Sequence, residues 1–354
     1  MMLAVSVSAG TGWGAPPSSI TRLSGNSTFT EEQQAAVRSY AEYWTNELAA
    51  ASDDRAEVRA IRQRILSPFS GVSTSPAFRR LYGNAVAAGL EPVLEGDDDH
   101  LAVNALIILG KLDTEEALRT LVSYSAAGRR GRTPVLRLTA ARSAAETIRH
   151  VQVTPISMRQ ITRAARDLAD AAREETEPSV LPHQLSAILA ADRRDLDEES
   201  RATARQAFAD ALANVVDRAS ADPANGDLER IRLLAATHRA LVDVRDHYLR
   251  LDPIYQRELG VALSPTLAEI LEVGVSHWDA VRAAEDQKEL SERLGELFEF
   301  TETLLSTIDA IARTGQRAPR TQLAQAWRQG QRDRFEAAVQ QWQSVMGGAP
   351  YRRR

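Results

Sequence analysis

The 354-residue sequence contains no cysteine. That excludes a disulfide framework, thiolate zinc sites, iron–sulfur clusters and a cysteine nucleophile. Lysine is nearly missing too: Lys111 and Lys288 are the only two, so positive charge is carried by arginine. With 43 basic and 48 acidic residues the net charge is -5, without the basic excess of a dedicated nucleic-acid binder. No Walker loop, HExxH, GxSxG or kinase signature occurs, so no cofactor or resident metal is expected. The run Gly10–Gly14 has the glycines of a phosphate loop, but no adequate strand precedes it and Pro16-Pro17 follow. Beyond the N-terminal residues no stretch approaches 18 apolar residues, and no transmembrane segment is expected.

Alanine is abundant, at 57 residues, and 44% of the chain is hydrophobic. That apolar fraction belongs to a folded protein, and alanine and arginine both favour helices. Seven dipeptides share one logic: Ser67-Pro68, Ser75-Pro76, Thr133-Pro134, Thr154-Pro155, Asp222-Pro223, Asp252-Pro253 and Ser264-Pro265. In each, a side chain that can cap free N–H groups precedes a proline suited to a first helical turn. Thr30 with Gln33, and Asp113 with Glu116, have capping-box spacing. Between these marks the apolar period is helical, as in Val37, Tyr40, Ala41, Trp44 and Leu48.

The pattern predicts helices over 30–51, 54–66, 76–93, 99–111, 114–127, 134–150, 155–175, 181–193, 196–220, 227–250, 253–262, 265–284, 286–313 and 320–346. No alternating run bounded by turns argues for a strand. The expected fold is all-α, a curved array of antiparallel helix hairpins.

Residues 1–28 read as a leader. They are small, apolar and uncharged up to Arg22, and Val7-Ser8-Ala9 fits a signal-peptidase site. A basic n-region is missing, which fits a start upstream of Met1 or else a disordered N-terminus. The favoured expectation is a periplasmic or secreted protein, with a cytoplasmic one as the alternative. The remainder divides into an N-terminal helical region, 29–150, a region of longer helices, 151–346, and a flexible basic tail, 347–354.

In His100–Ala127, an Ala/Leu-rich helix ends in Leu-Gly and is followed by an Asp-containing turn and a second helix, ALRTLV. This segment resembles a HEAT- or armadillo-type helical repeat, and residues 137–148 look like the first helix of a following unit. The resemblance covers about 50 residues. It implies a binding scaffold and supplies no catalytic residues.

The local clusters read mostly as structural. In Glu95, Asp97, Asp98, Asp99 and His100, an acidic residue capping the next helix is favoured over a cation site, because EF-hand spacing is missing. His238 lies on an apolar stripe and is expected in the core; Asp243–His247 and Glu146–His150 are expected as solvated i,i+4 pairs. His277 beside Trp278 and Asp279 is expected at a boundary.

Leu290, Leu294, Leu297, Thr301, Leu304, Ile308 and Ile311 form a heptad seam that allows a homodimer through 286–313. Phe298 and Leu305 widen the stripe, so packing within the chain is preferred.

At the C-terminal end charge is segregated: seven acids and two bases lie in Glu285–Glu302, nine arginines and two acids in Arg313–Arg354. Trp327, Arg328, Arg332 and Arg334 are therefore the candidate partner-binding residues, with internal docking of these helices as the competing reading. The expected function is a noncatalytic scaffold for a protein or peptide. The alternative is a helical enzyme or ligand-binding protein whose site assembles from distant helices.

Overall fold

The computed structural model describes residues 19–51, 54–70, 74–128, 132–150, 156–193, 195–221, 228–282, 287–313, 319 and 321–351. The described residues form helices and turns, with no strand among them. The all-α expectation holds: many helices pack against one another, an arrangement compatible with a helical-repeat fold. The described residues fall into two units, one ending at Ala117 and the other beginning at Leu118.

The first unit holds α1 (Glu31–Ala50), α2 (Arg55–Leu66), α3 (Pro76–Glu95) and α4 (Asp99–Leu109). Thr30 and Gln33 form the expected capping box on α1. Ser75 accepts a hydrogen bond from the Phe78 N–H, and Pro76 opens α3 as its dipeptide implies. The buried stripe of α1 is Val37, Tyr40, Ala41, Thr45 and Leu48, so Thr45 takes the place expected for Trp44. Thr45 satisfies its hydroxyl on the Ala41 carbonyl at 3.0 Å. It faces Gly89, where a Cβ would sit 2.4 Å from the hydroxyl oxygen, so this glycine sets how closely α1 and α3 approach. The rings of Tyr40, Phe69 and Phe78 each lie 5.2–6.1 Å from that of Tyr82, and the Tyr82 hydroxyl donates to the Ile65 carbonyl at 2.7 Å.

Asp98 caps α4 by accepting from the His100 and Leu101 N–H groups at 2.8 and 3.1 Å. Asp98→Ala is expected to destabilise the chain by about 1 kcal/mol, read as a lowered thermal midpoint. Calcium should leave the midpoint of the wild-type chain unchanged. The second expected capping box differs from the sequence reading. Helix α5 (Glu115–Ser125) is capped by Thr114, whose hydroxyl accepts from the Ala117 N–H at 3.2 Å. Asp113 instead adopts φ 52° and pairs with Arg79 at 3.3 Å.

The second unit contains α6 (Pro134–His150), α7 (Met158–Glu174), α8 (Leu181–Leu189), α9 (Glu198–Ser220), α10 (Leu228–Ala236) and α11 (His238–Tyr248). It continues with α12 (Pro253–Ser276), α13 (Trp278–Arg282), α14 (Lys288–Ala312), α15 (Leu323–Arg328) and α16 (Arg332–Met346). Helices pack against their second neighbours in sequence: α6 on α8, α7 on α9, α12 on α14. More distant pairings, α9 with α12 and α12 with α16, join these layers. A buried bidentate pair, Arg137 to Glu175 at 3.0 and 2.9 Å, ties α6 to the turn after α7. Glu175 also accepts from Gln184 at 3.2 Å and from the Glu177 N–H at 2.9 Å, so this buried carboxylate is well supplied with donors.

Several helix boundaries depart from the sequence pattern, among them a break at His277 within the helix expected over 265–284. The single helix expected over 227–250 breaks at Thr237, whose hydroxyl and N–H both bond the Leu234 carbonyl, at 2.7 and 3.0 Å. The hydroxyl competes with the regular ladder and tightens the turn.

The break expected at Ser264-Pro265 does not occur; α12 runs straight through. An interior proline costs roughly 3 kcal/mol, whereas Leu259, Leu263, Leu267, Ile270 and Leu271 are all buried around it. At roughly 1.5–3 kcal/mol for each buried side chain, the core outweighs the proline. Of the other dipeptides, Ser67-Pro68 opens a short 3₁₀ turn, Thr133 and Asp252 precede helices, and Thr154-Pro155 and Asp222-Pro223 lie outside the described residues. The last predicted helix divides at Gly330, whose φ of 69° reverses the chain between α15 and α16.

Helix α12 has the length and hydropathy of a membrane span, but 61% of its apolar window is buried inside the chain, the environment of a core helix. The heptad seam of α14 is likewise occupied internally. Leu290, Leu294, Leu297, Thr301, Leu304 and Ile308 are buried, together with Phe298 and Leu305.

The last described residues differ from the expected flexible tail. Tyr351 is 1% exposed, and its hydroxyl meets Asp309 at 2.9 Å beside the Arg313–Asp309 pair.

Candidate functional site

Within the second unit, the ends of α6, α8 and α11 enclose a cleft of about 340 Å³. Helix α8 contributes Ser186, and the turn after it contributes Asp192 and Arg193. Helix α11 supplies Asp243, Asp246 and His247, and Arg149 and Arg250 stand at the rim. This is a meeting of residues far apart in sequence, as the ligand-binding alternative requires.

Asp192 is the charged centre of the cleft. Its side chain is fully buried, with His247 Nε2 at 2.8 Å from one oxygen. Arg201 Nε and Arg205 Nη1 approach the other at 3.0 and 3.1 Å. Both guanidiniums stack over Tyr255, at 4.3 and 5.1 Å from the ring centroid. Burial pushes the Asp192 carboxyl upward, but the hydrogen bond and charge of His247, with Arg205 and Arg201, outweigh it and hold the group below the ordinary aspartate range. Ser186 Oγ donates to Asp243 Oδ2 at 2.5 Å.

The hydroxyl and the imidazole thus each engage a different carboxylate. Ser186 is directed at Asp243 rather than at His247, which is not the geometry of a base-activated nucleophile. The cleft can hold a polar ligand between its arginines and aspartates. Among the described residues no group of three His, Asp or Glu side chains is placed to share a metal ion.

The pairing expected between Asp243 and His247 is replaced by these longer-range contacts. Two other histidines are also placed by packing. His277, expected at a boundary, is 3% exposed, with Nδ1 3.2 Å from the Val273 carbonyl. His238 is half-buried and lies edge-on to Phe300 at 5.3 Å, where burial lowers its pKa.

The residues singled out at the C-terminal end have different positions. Trp327 is 1% exposed, packed against Trp278, Phe298 and Phe335 at 4.9–5.4 Å, and donates from Nε1 to the Ser291 carbonyl at 2.8 Å. Arg328 pairs with Glu299, and Arg332 with Asp279 and Glu336 at 2.9 and 2.7 Å. Arg334 reaches Gln331 at 2.9 Å. The aromatic part of this candidate surface is therefore interior, and two of its arginines tie α15 and α16 to acidic neighbours. No motif or spacing marks Asp192, whose partners come from positions 201, 205 and 247.

Comparison of the chain with protein-family models, with curated proteins and with solved structures finds no match.

Proposed function

We propose that the chain is a noncatalytic helical scaffold that binds a protein or peptide partner, with hairpins stacked in the manner of HEAT-type arrays. The observation carrying this reading is second-neighbour packing: α1 on α3 and α2 on α4 in the first unit, α6 on α8 and α7 on α9 in the second. Stacked repeats bury their apolar faces on the equivalent helix of the adjoining repeat, leaving an extended surface for recognition. Export to the periplasm or beyond accompanies this reading and rests on the apolar leader, whose residues 1–18 lie outside the described structure.

Crosslinked affinity capture from the native host, using the full chain in soluble and envelope fractions, tests both statements. One protein recovered at near-stoichiometric yield from the envelope fraction is the expected result. A folded bait that retains no specific partner in either fraction sinks the scaffold reading.

A ligand-binding role has one observation in its favour, the convergence of Ser186, Asp192, Asp243 and His247 on one cleft. A metabolite panel that shifts the thermal midpoint of the wild-type chain, but not that of Asp243→Asn, would favour that role.

A further inference from the structure

The second unit carries a larger concavity than the cleft, a groove of about 820 Å³ bordered by α7, α9 and α12. From α9 it is lined by Gln206, Ala209, Asp210, Ala213, Asn214 and Asp217. Their spacing of three, one, three, one and three residues is one continuous helical face. The opposite face of α9 is core, with Phe208, Ala211, Leu212 and Val215 buried. Val261 and Ala262 of α12 form the facing wall, and Tyr351 contributes to the lining. Alanines at 209, 213 and 262 keep the floor low, which lets another helix approach at roughly 8–10 Å between axes.

The polar groups in this groove are unevenly matched. Asp217 is exposed and has no hydrogen bond or ion pair among the described residues. Asn214 Oδ1 is buried without a donor. Asp210 accepts from its neighbour Gln206 at 2.7 Å, and Arg173 is engaged by Asp170 at 2.7 Å. The groove therefore offers the Asp210 and Asp217 carboxylates, while Gln206 and one nitrogen of Arg173 are each engaged by an aspartate. Asp210 and Asp217 lie seven residues apart on the same helix face, roughly 10 Å along the axis.

We propose that this groove docks a basic helix of a partner protein, with arginine or lysine residues seven apart meeting Asp210 and Asp217. This rests on the scaffold reading and specifies the partner's chemistry. Two synthetic probes test it by fluorescence anisotropy on the full chain at low salt. One is an alanine-based helical peptide with arginines seven residues apart; the other has glutamate in their place.

The arginine peptide is expected to bind about tenfold or more tightly than the glutamate peptide. Asp210→Asn combined with Asp217→Asn should weaken it by a similar factor, and Ala213→Trp should remove binding by filling the floor. Because the chain has no cysteine, Ala213→Cys provides a single labelling site. The arginine peptide should slow its reaction with a maleimide, which locates the peptide in the groove and checks that this variant remains folded and binding-competent.

Equal binding of the two peptides, or binding indifferent to the aspartate and Ala213 variants, overturns the proposal. Binding seen only after removal of Arg352, Arg353 and Arg354 would make the chain's own terminus the occupant and also overturn it. A captured partner whose yield ignores the groove variants sinks the groove assignment while leaving the scaffold reading intact. Peptide binding in the groove without any captured partner does the reverse.

Discussion

Asp192→Ala is expected to lower the unfolding free energy by about 3 kcal/mol, measured by urea denaturation at neutral pH. The carboxylate is fully buried, and its removal leaves Arg201 and Arg205, 7% and 6% exposed, with only the more exposed Glu198 and Glu258 as acidic partners among the described residues. An uncompensated buried charge costs more than the pair itself contributes, which is why truncating one partner has a large effect.

The sign of the pH dependence follows from the depressed pKa. Stability contributed by this carboxylate is fully present above the unfolded-state value of about 4, and it is lost as pH falls through the lower folded-state value. The gap between wild type and Asp192→Ala should therefore narrow below about pH 4. A gap that widens there would contradict the depressed pKa. A neutral-pH loss under about 1 kcal/mol would show that Glu198 and Glu258 suffice for the two arginines.

Trp327→Ala carries the second large effect, an expected loss of about 4 kcal/mol by the same denaturation measurement. The ring fills the space between Trp278, Phe298 and Phe335, and Gly274 sits beneath that cluster, where a Cβ would lie 2.6 Å from Phe298 Cζ. Truncation leaves a cavity in this packing and abandons the Ser291 carbonyl. Arg328→Ala removes a pair whose members are 52% and 57% exposed, so its loss should stay within about 0.5 kcal/mol. The contrast between neighbouring residues is the test. A tryptophan presented to a partner would be lost with little change in stability, and that outcome would return Trp327 to the surface.

These two sites differ in how far they could be read from sequence. The aromatic cluster was partly legible, because Trp327, Phe335 and Trp342 follow one helical face. What periodicity cannot say is whether such a face meets solvent, a partner or the chain's own α13 and α14. Asp192 was not legible at all, since it follows α8 in a short turn and its meaning depends on α9 and α11. Helix existence was the most legible feature, since capping residues and apolar spacing act within a few positions. Boundaries failed where tertiary structure overruled local preference. Pro265 is carried inside α12 by buried leucines, and Thr237 interrupts a pattern that looks continuous. The solvated i,i+4 pair expected of Asp243 and His247 failed for the same reason: each found a partner on another element.

The anchoring of Tyr351 on Asp309 bears on how the polypeptide is handled at the bench. A fusion partner or affinity handle joined after Arg354 leaves this latch intact, whereas trimming back to the end of α16 at Met346 would strip the cover from a buried carboxylate. Expression boundaries chosen from helix ends alone would thus cut through a fastening that lies five residues beyond Met346, the last residue of α16.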